Sequence, residues 1–210
     1  MNKSQLTIIG RSSSHFTRTV RIFAAELDVA YQFEVVQDLM SSSSESYAGN
    51  PALRVPILRT EHGEWFGSLN ICRELARRSS HNLNIVWPEQ CSSVLLANAQ
   101  ELTLQAMATE VTLIMATSAK VEAENKFVAK YRTGLINSIE WLERHVVQVL
   151  VELAANRELS YLEVCLYCLI THLEFRKVLP MAQYTALNQF AAAFANRQSV
   201  QSTEYRFDTP

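Results

Sequence analysis

Residues 6–36 read LTIIGRSSSHFTRTVRIFAAELDVAYQFEVV, and changes of period within them decide the fold. Leu6-Thr7-Ile8-Ile9 is a short apolar run that stops at Gly10, as a buried strand does. Three serines follow, and a helical period begins. Phe16, Val20, Phe23 and Leu27 are spaced four, three and four, which puts them on one helix face. Tyr31 to Val36 returns to β-branched and aromatic residues and predicts a second strand. Strand, helix, strand is a βαβ unit with a parallel pair.

Working outward, Ser41 to Ser46 has no apolar period and reads as a loop or short helix. Asn50-Pro51 marks a turn. Val55-Pro56-Ile57-Leu58 reads as a strand entered through a proline, Glu61 to Glu64 as a hairpin turn, and Trp65-Phe66 as the return strand. Ser68 is the expected N-cap of a helix with Ile71 and Leu75 inside. The order is β-α-β-α-β-β-α over residues 1–80. Residues 81–90 are the expected linker, and 91–210 an all-α domain with nothing that reads as a strand. Leu135, Ile139, Leu142, Val146, Val149 and Leu153 form one stripe on a long helix. Leu95 to Met115 is another helical stretch. Ser160 and Glu163 have capping-box spacing, with Leu159 and Val164 placed as a hydrophobic staple. A last helix is expected over Tyr184 to Ala195.

The chain has 210 residues, 48% hydrophobic and 19% charged, a globular composition. A net charge of -2 gives no basic footprint for nucleic acid. Five glycines are few for a β-sandwich or barrel. No stretch approaches the ~20 apolar residues of a membrane span, and the opening residues lack the apolar core of a signal peptide. A cytoplasmic location is expected. Cys72, Cys91, Cys165 and Cys168 are then expected as free thiols, the C-x-x-C pair lying within a core helix. The five histidines show no metal spacing, and no metal is expected.

Two places can carry chemistry. A serine between a parallel strand and a helix sits where backbone N–H groups converge and the helix dipole is positive, which favours an anion, including a thiolate. Ser14 is either such a residue or a plain N-cap. His15 beside it is expected to face solvent. Pro56 either carries a cis peptide bond or is an ordinary trans proline at a strand start.

These segments together resemble the cytosolic glutathione S-transferases, of the bacterial type with serine at the active position. Residues 13–21, SSHFTRTVR, resemble the S-P-F-x-R-K-V-R start of the family's first helix. Residues 50–58, NPALRVPIL, resemble its N-P-x-x-K-V-P-x-L segment. Gly67-Ser68-Leu69-Asn70-Ile71 through Leu75 resembles E-S-x-A-I-x-x-Y-L. Leu159 to Val164 resembles its capping box and staple, and Leu173 to Arg176 the Y-L-D-F-R of a bacterial subgroup. Arg197, Ser199 and Thr203 resemble its R-P-S-x-x-x-T.

The resemblance implies an α+β two-domain protein: a thioredoxin-like N-terminal domain that holds glutathione, then an all-α domain supplying the second substrate's pocket. It implies a homodimer that conjugates glutathione, its substrate, to a small hydrophobic electrophile in detoxification. Carried over, Ser14 stands beside the glutathione sulfur and Arg54 near the glycine end. Val55 pairs its backbone with the cysteinyl part, Pro56 is cis, and Ser68 bonds the γ-glutamyl carboxylate. By position on the first long helix, Thr103, Met107, Glu110 and Val111 are liners of the second pocket or else core or dimer-interface residues. Gly67 stands where the family has Glu, Gln or Asp accepting from the glutathione ammonium. Losing that bond, about 1.5–3 kcal/mol, weakens binding about ten- to a hundred-fold. The alternative is a weakly catalytic, transferase-like regulator acting through protein partners.

Overall fold

The computed structural model describes residues 6–208. In chain order the elements are β1 (Thr7–Gly10), α1 (His15–Glu26), β2 (Gln32–Val35), a 3-10 turn (Ser44–Tyr47), β3 (Ile57–Thr60), β4 (Gly63–Phe66), α2 (Ser68–Arg78), β5 (Ile85–Val86), a second 3-10 turn (Pro88–Gln90), α3 (Val94–Ser118), α4 (Lys126–Glu152), β6 (Leu159–Ser160), α5 (Tyr161–Phe175), α6 (Thr185–Phe194) and α7 (Gln198–Gln201). They form two compact units. One takes in the described residues up to Leu83 together with the segment from Asn196; the other is Asn84–Ala195.

The first unit is a mixed sheet of order β2-β1-β3-β4. β1 is parallel to β2 and antiparallel to β3, which is antiparallel to β4. The sheet is covered on both faces, so β1 is apolar without alternation. Ile9 and Ile57 pack with Val36 and Tyr47 under the 36–55 connection. Ile8 and Leu58, opposite one another, point to the other face by the period of two. There α1 and α2 pack together, contributing the fully buried Val20, Phe23, Ile71 and Leu75.

In the second unit α3 lies along α4. The six-residue stripe from Leu135 to Leu153 is buried throughout. α5 has eleven buried residues out of fifteen, the pattern of a helix apolar on all sides. Cys165 and Cys168 lie within it as buried thiols outside any disulfide. α6 has no side-chain cap of its own. Glu143 on α4 supplies one instead, accepting the Ala186 and Leu187 N–H groups at 2.9 Å each.

Several expectations need correction. The 81–90 linker contains β5, which pairs in parallel with β6 inside the stretch expected to hold no strand. Two-residue strands are too short to show a period. The expected 91–210 domain loses its last part, because residues from 196 pack with the first unit. Glu26 near the end of α1 accepts from Arg197 Nη1 at 3.0 Å and Ser199 Oγ at 2.6 Å. Ser68 is not an N-cap. It is the first residue of α2, and Gly67 takes the cap position with φ +83° and no side chain to offer. The Ser160 cap forms one of its two bonds, accepting the Glu163 N–H at 3.4 Å. The Glu163 carboxylate turns instead to Arg157, whose Nε and Nη2 each donate at 2.8 Å. A bidentate guanidinium is the stronger partner.

Candidate functional site at one end of the sheet

The strand register gathers the predicted residues. Ile9 stands opposite Ile57, so Gly10 at the end of β1 comes alongside Pro56 at the entrance to β3. Ile57 stands opposite Phe66, so Gly67 flanks Pro56 on the other side. The Arg11–Ser14 turn, the Val55–Pro56 peptide and the start of α2 therefore share one end of the sheet. Both α1 and α2 present their N-termini there, where the helix dipole leaves a partial positive charge.

Each part has a local cause. β1 approaches α1 closely at Gly10: a Cβ there would lie 2.5 Å from Thr17 Oγ1 and 2.7 Å from its Cγ2, which leaves room only for glycine. The Ser14 N–H donates to Arg11 O at 3.1 Å, closing the turn. Ser14 is the N-cap of α1, its Oγ accepting the Thr17 N–H at 3.3 Å. Ser12 and Ser13 are buried while Ser14 is half-buried. Ser14 is thus the most accessible of the three hydroxyls. Its O–H can still donate outward, because the cap bond uses an oxygen lone pair. His15 is fully buried, against the expectation that it faces solvent. As the first residue of α1 it starts on the buried side, in edge contact with Phe16.

The Val55–Pro56 peptide is cis. Asn50 shapes the loop that leads to it, donating from Nδ2 to Arg54 O at 2.7 Å and accepting the Ala52 N–H on Oδ1 at 3.0 Å. In the sequence this Asn marks a turn and opens the 50–58 segment, and neither pattern foretells its side-chain bonds. Leu53 sits at φ +54°, a left-handed conformation that costs an L-residue about 1–2 kcal/mol. Strain of this kind concentrates at functional loops. Arg54 is exposed, Val55 half-buried and Pro56 buried. Under the loop, burial and then the Asp38 charge push the Tyr47 phenol up from its ordinary value.

Other clusters lie apart. A cleft of about 310 Å³ beside β2 is lined by Glu34, Asp38, Glu45 and Arg59 among others and includes none of the predicted site residues. In the second unit Thr103, Met107 and Glu110 are buried. Val111 is half-buried, and Glu110 Oε1 lies 2.8 Å from His172 Nδ1.

Comparison with known proteins bears on the fold. Residues 13–78 match the family model described as the glutathione S-transferase N-terminal domain. A search of the curated proteins gives no match. Among solved structures, a glutathione S-transferase from Methylobacillus flagellatus with glutathione bound is 18% identical, with a TM-score of 0.76 over 96% of this chain and 100% of its own. A glutathione transferase family member from Pseudomonas fluorescens, also with bound glutathione, is 17% identical with a TM-score of 0.76, over 96% and 100% of the two chains. A poplar glutathione transferase is 18% identical with a TM-score of 0.68, over 95% and 96%. Residues 13–78 are thus similar to a glutathione S-transferase N-terminal domain, and the chain as a whole shares the fold of these solved structures.

Proposed function

We propose that this chain binds glutathione at the end of the first unit's sheet and activates its thiol for attack on a small hydrophobic electrophile. The observation that carries this reading is the convergence of the Ser14 turn, the cis Val55–Pro56 peptide and the start of α2 through the β1–β3–β4 register. A bound tripeptide meets a different group at each part. The cysteinyl backbone pairs with Val55, just outside the β3 ladder. The γ-glutamyl carboxylate takes the Ser68 hydroxyl and the first amides of α2. The exposed Arg54 guanidinium faces the glycine carboxylate.

A free thiol has a pKa near ~8.5 and is mostly protonated at pH 7. The Ser14 O–H donates to the sulfur, and the α1 N-terminus adds positive potential; both favour the thiolate. The thiol proton leaves to water. The sulfur then forms a bond to the electrophilic carbon, and the leaving group departs with its electron pair. Holding the two reactants together supplies the acceleration, and no protein atom becomes covalently attached.

The test is conjugation of glutathione to an activated aryl chloride, followed against pH. The reading predicts a rate above the uncatalysed one and a rise with pH whose midpoint lies below the free thiol's. A midpoint equal to that of free glutathione contradicts thiol activation. The resemblance also carries a cytoplasmic homodimer working in detoxification, and we extend that to this chain. A monomer in sedimentation at micromolar concentration contradicts the dimer. No described helix is long and apolar enough to cross a membrane.

A further inference from the structure

We propose that Asp208 is a positioning residue for Ser14, acting through the Arg11–Ser14 turn; the proposal rests on the glutathione site described above. Asp208 lies 196 positions from Ser12 in sequence, yet its Oδ2 accepts the Ser12 N–H at 2.8 Å. The same oxygen is 3.2 Å from Arg11 Nε, and the two side chains are only 7% and 17% exposed. Arg11 is fixed on its other side, donating from Nη1 to Val36 O at 2.9 Å and Gln37 O at 3.1 Å. The turn that presents Ser14 is therefore bolted at its first two residues, and Arg11 O then holds the Ser14 N–H.

The delivery of Asp208 is built along α1. Arg197 and Ser199 hold Glu26 near one end of the helix. Arg18, in the first turn of the helix, donates to Val200 O at 3.3 Å and lies 4.3 Å from the Tyr205 ring centre. Thr203 Oγ1 ties back to Ser199 O at 2.7 Å. Asp208 then reaches the turn before the other end. The Arg197, Ser199 and Thr203 pattern is thus the fastening of a strap whose last contact sets the serine turn. Arg11 balances the Asp208 charge, so the clamp adds no net negative potential beside a thiolate.

The test compares Asp208→Ala and Asp208→Asn, each alone and with Ser14→Ala. Asn keeps an acceptor for the Ser12 N–H, so it should retain kcat/KM for glutathione within about threefold. Ala removes the acceptor, and kcat/KM should fall about tenfold or more, because small misplacements of a reacting group are costly. The pH–rate midpoint should rise with it. On the Ser14→Ala background Asp208→Ala should cost nothing further, since residues acting through one another are not additive. Equal rates for wild type and Asp208→Ala overturn the proposal, and so does full additivity with Ser14→Ala. Amide exchange reads the clamp without any substrate: the Ser12 N–H should exchange about tenfold faster or more in Asp208→Ala than in Asp208→Asn. Unchanged exchange overturns the clamp itself. A wild-type protein that does not bind glutathione overturns the site reading, and the positioning role falls with it even if the exchange result stands.

Discussion

Ile9 on β1 stands directly opposite Ile57 on β3, and that pairing sets Gly10 beside the cis Pro56. A slip of one residue would turn each side chain to the other face. It would also separate the serine turn from the proline peptide. Both isoleucines are buried with Tyr47 under the 36–55 connection, so the same contacts that stabilise the core fix the site.

Ser14→Ala should have two separable effects. Loss of the bond to the Thr17 N–H should lower stability by about 1 kcal/mol, the usual value of an N-cap. Loss of the hydroxyl donor should move the midpoint of the pH–rate profile toward the free thiol's ~8.5. Denaturant unfolding reads the first and conjugation kinetics the second. A lowered stability with an unmoved pH profile would reduce Ser14 to a cap.

Gly67 combines a backbone demand with a missing side chain. Its φ is +83°, and a Cβ there meets nothing within 4 Å. Gly67→Ala should therefore cost about 1–3 kcal/mol from backbone strain alone. Gly67→Glu should carry the same cost yet bind glutathione about tenfold or more tightly, by restoring an acceptor for the ammonium. Thermal melting and calorimetry on the two variants separate the effects. Unimproved binding by Gly67→Glu would mean the absent acid is not what limits affinity.

Glu74 should impose an acid limit on the first unit. Burial pushes its carboxyl up, but hydrogen bonds and charges from Arg78 and Arg77 outweigh this and leave it below its ordinary value. A folded pKa below the unfolded one gives stability that is complete above the unfolded value, ~4.3, and is lost as pH falls through the folded value. Arg77 is half exposed, so solvent screens part of its share. Urea unfolding of Glu74→Gln should show a flatter fall in stability below about pH 4.3 than wild type. Parallel curves would contradict this assignment.

Glu143→Ala should loosen the start of α6. Two amides, Ala186 and Leu187, lose a charged acceptor, worth about 1.5–3 kcal/mol for each such bond. Their hydrogen exchange should quicken at least tenfold while the amides of α5 remain protected. Uniform acceleration through both helices would instead mean that Glu143 supports the whole second unit.

Much of this was legible in the sequence because it rests on local patterns. The period change between Ile9 and Phe16 gave the first strand and helix, and the Leu135–Leu153 stripe gave the buried face of α4. The proline at 56 and the serine at 14 fell where their backbones need them. What escaped was set by tertiary partners. Gly67, not Ser68, caps α2, because a positive φ there takes precedence over side-chain capping. Glu163 was expected at the Ser160 amide, but Arg157 offers it two charged donors. β5 and β6 have two residues each and find one another across more than seventy positions. Nothing local marks Asp208 as a neighbour of Ser12, and only the Arg197–Thr203 pattern hinted that the segment has a fixed place.

The most direct test of the central claim is a calorimetric titration of glutathione into the purified wild-type protein near pH 7. The account predicts saturable binding in the micromolar to low-millimolar range, weakened but not abolished by Gly67. Absence of binding at tens of millimolar would contradict it and would turn attention to a protein partner for this fold.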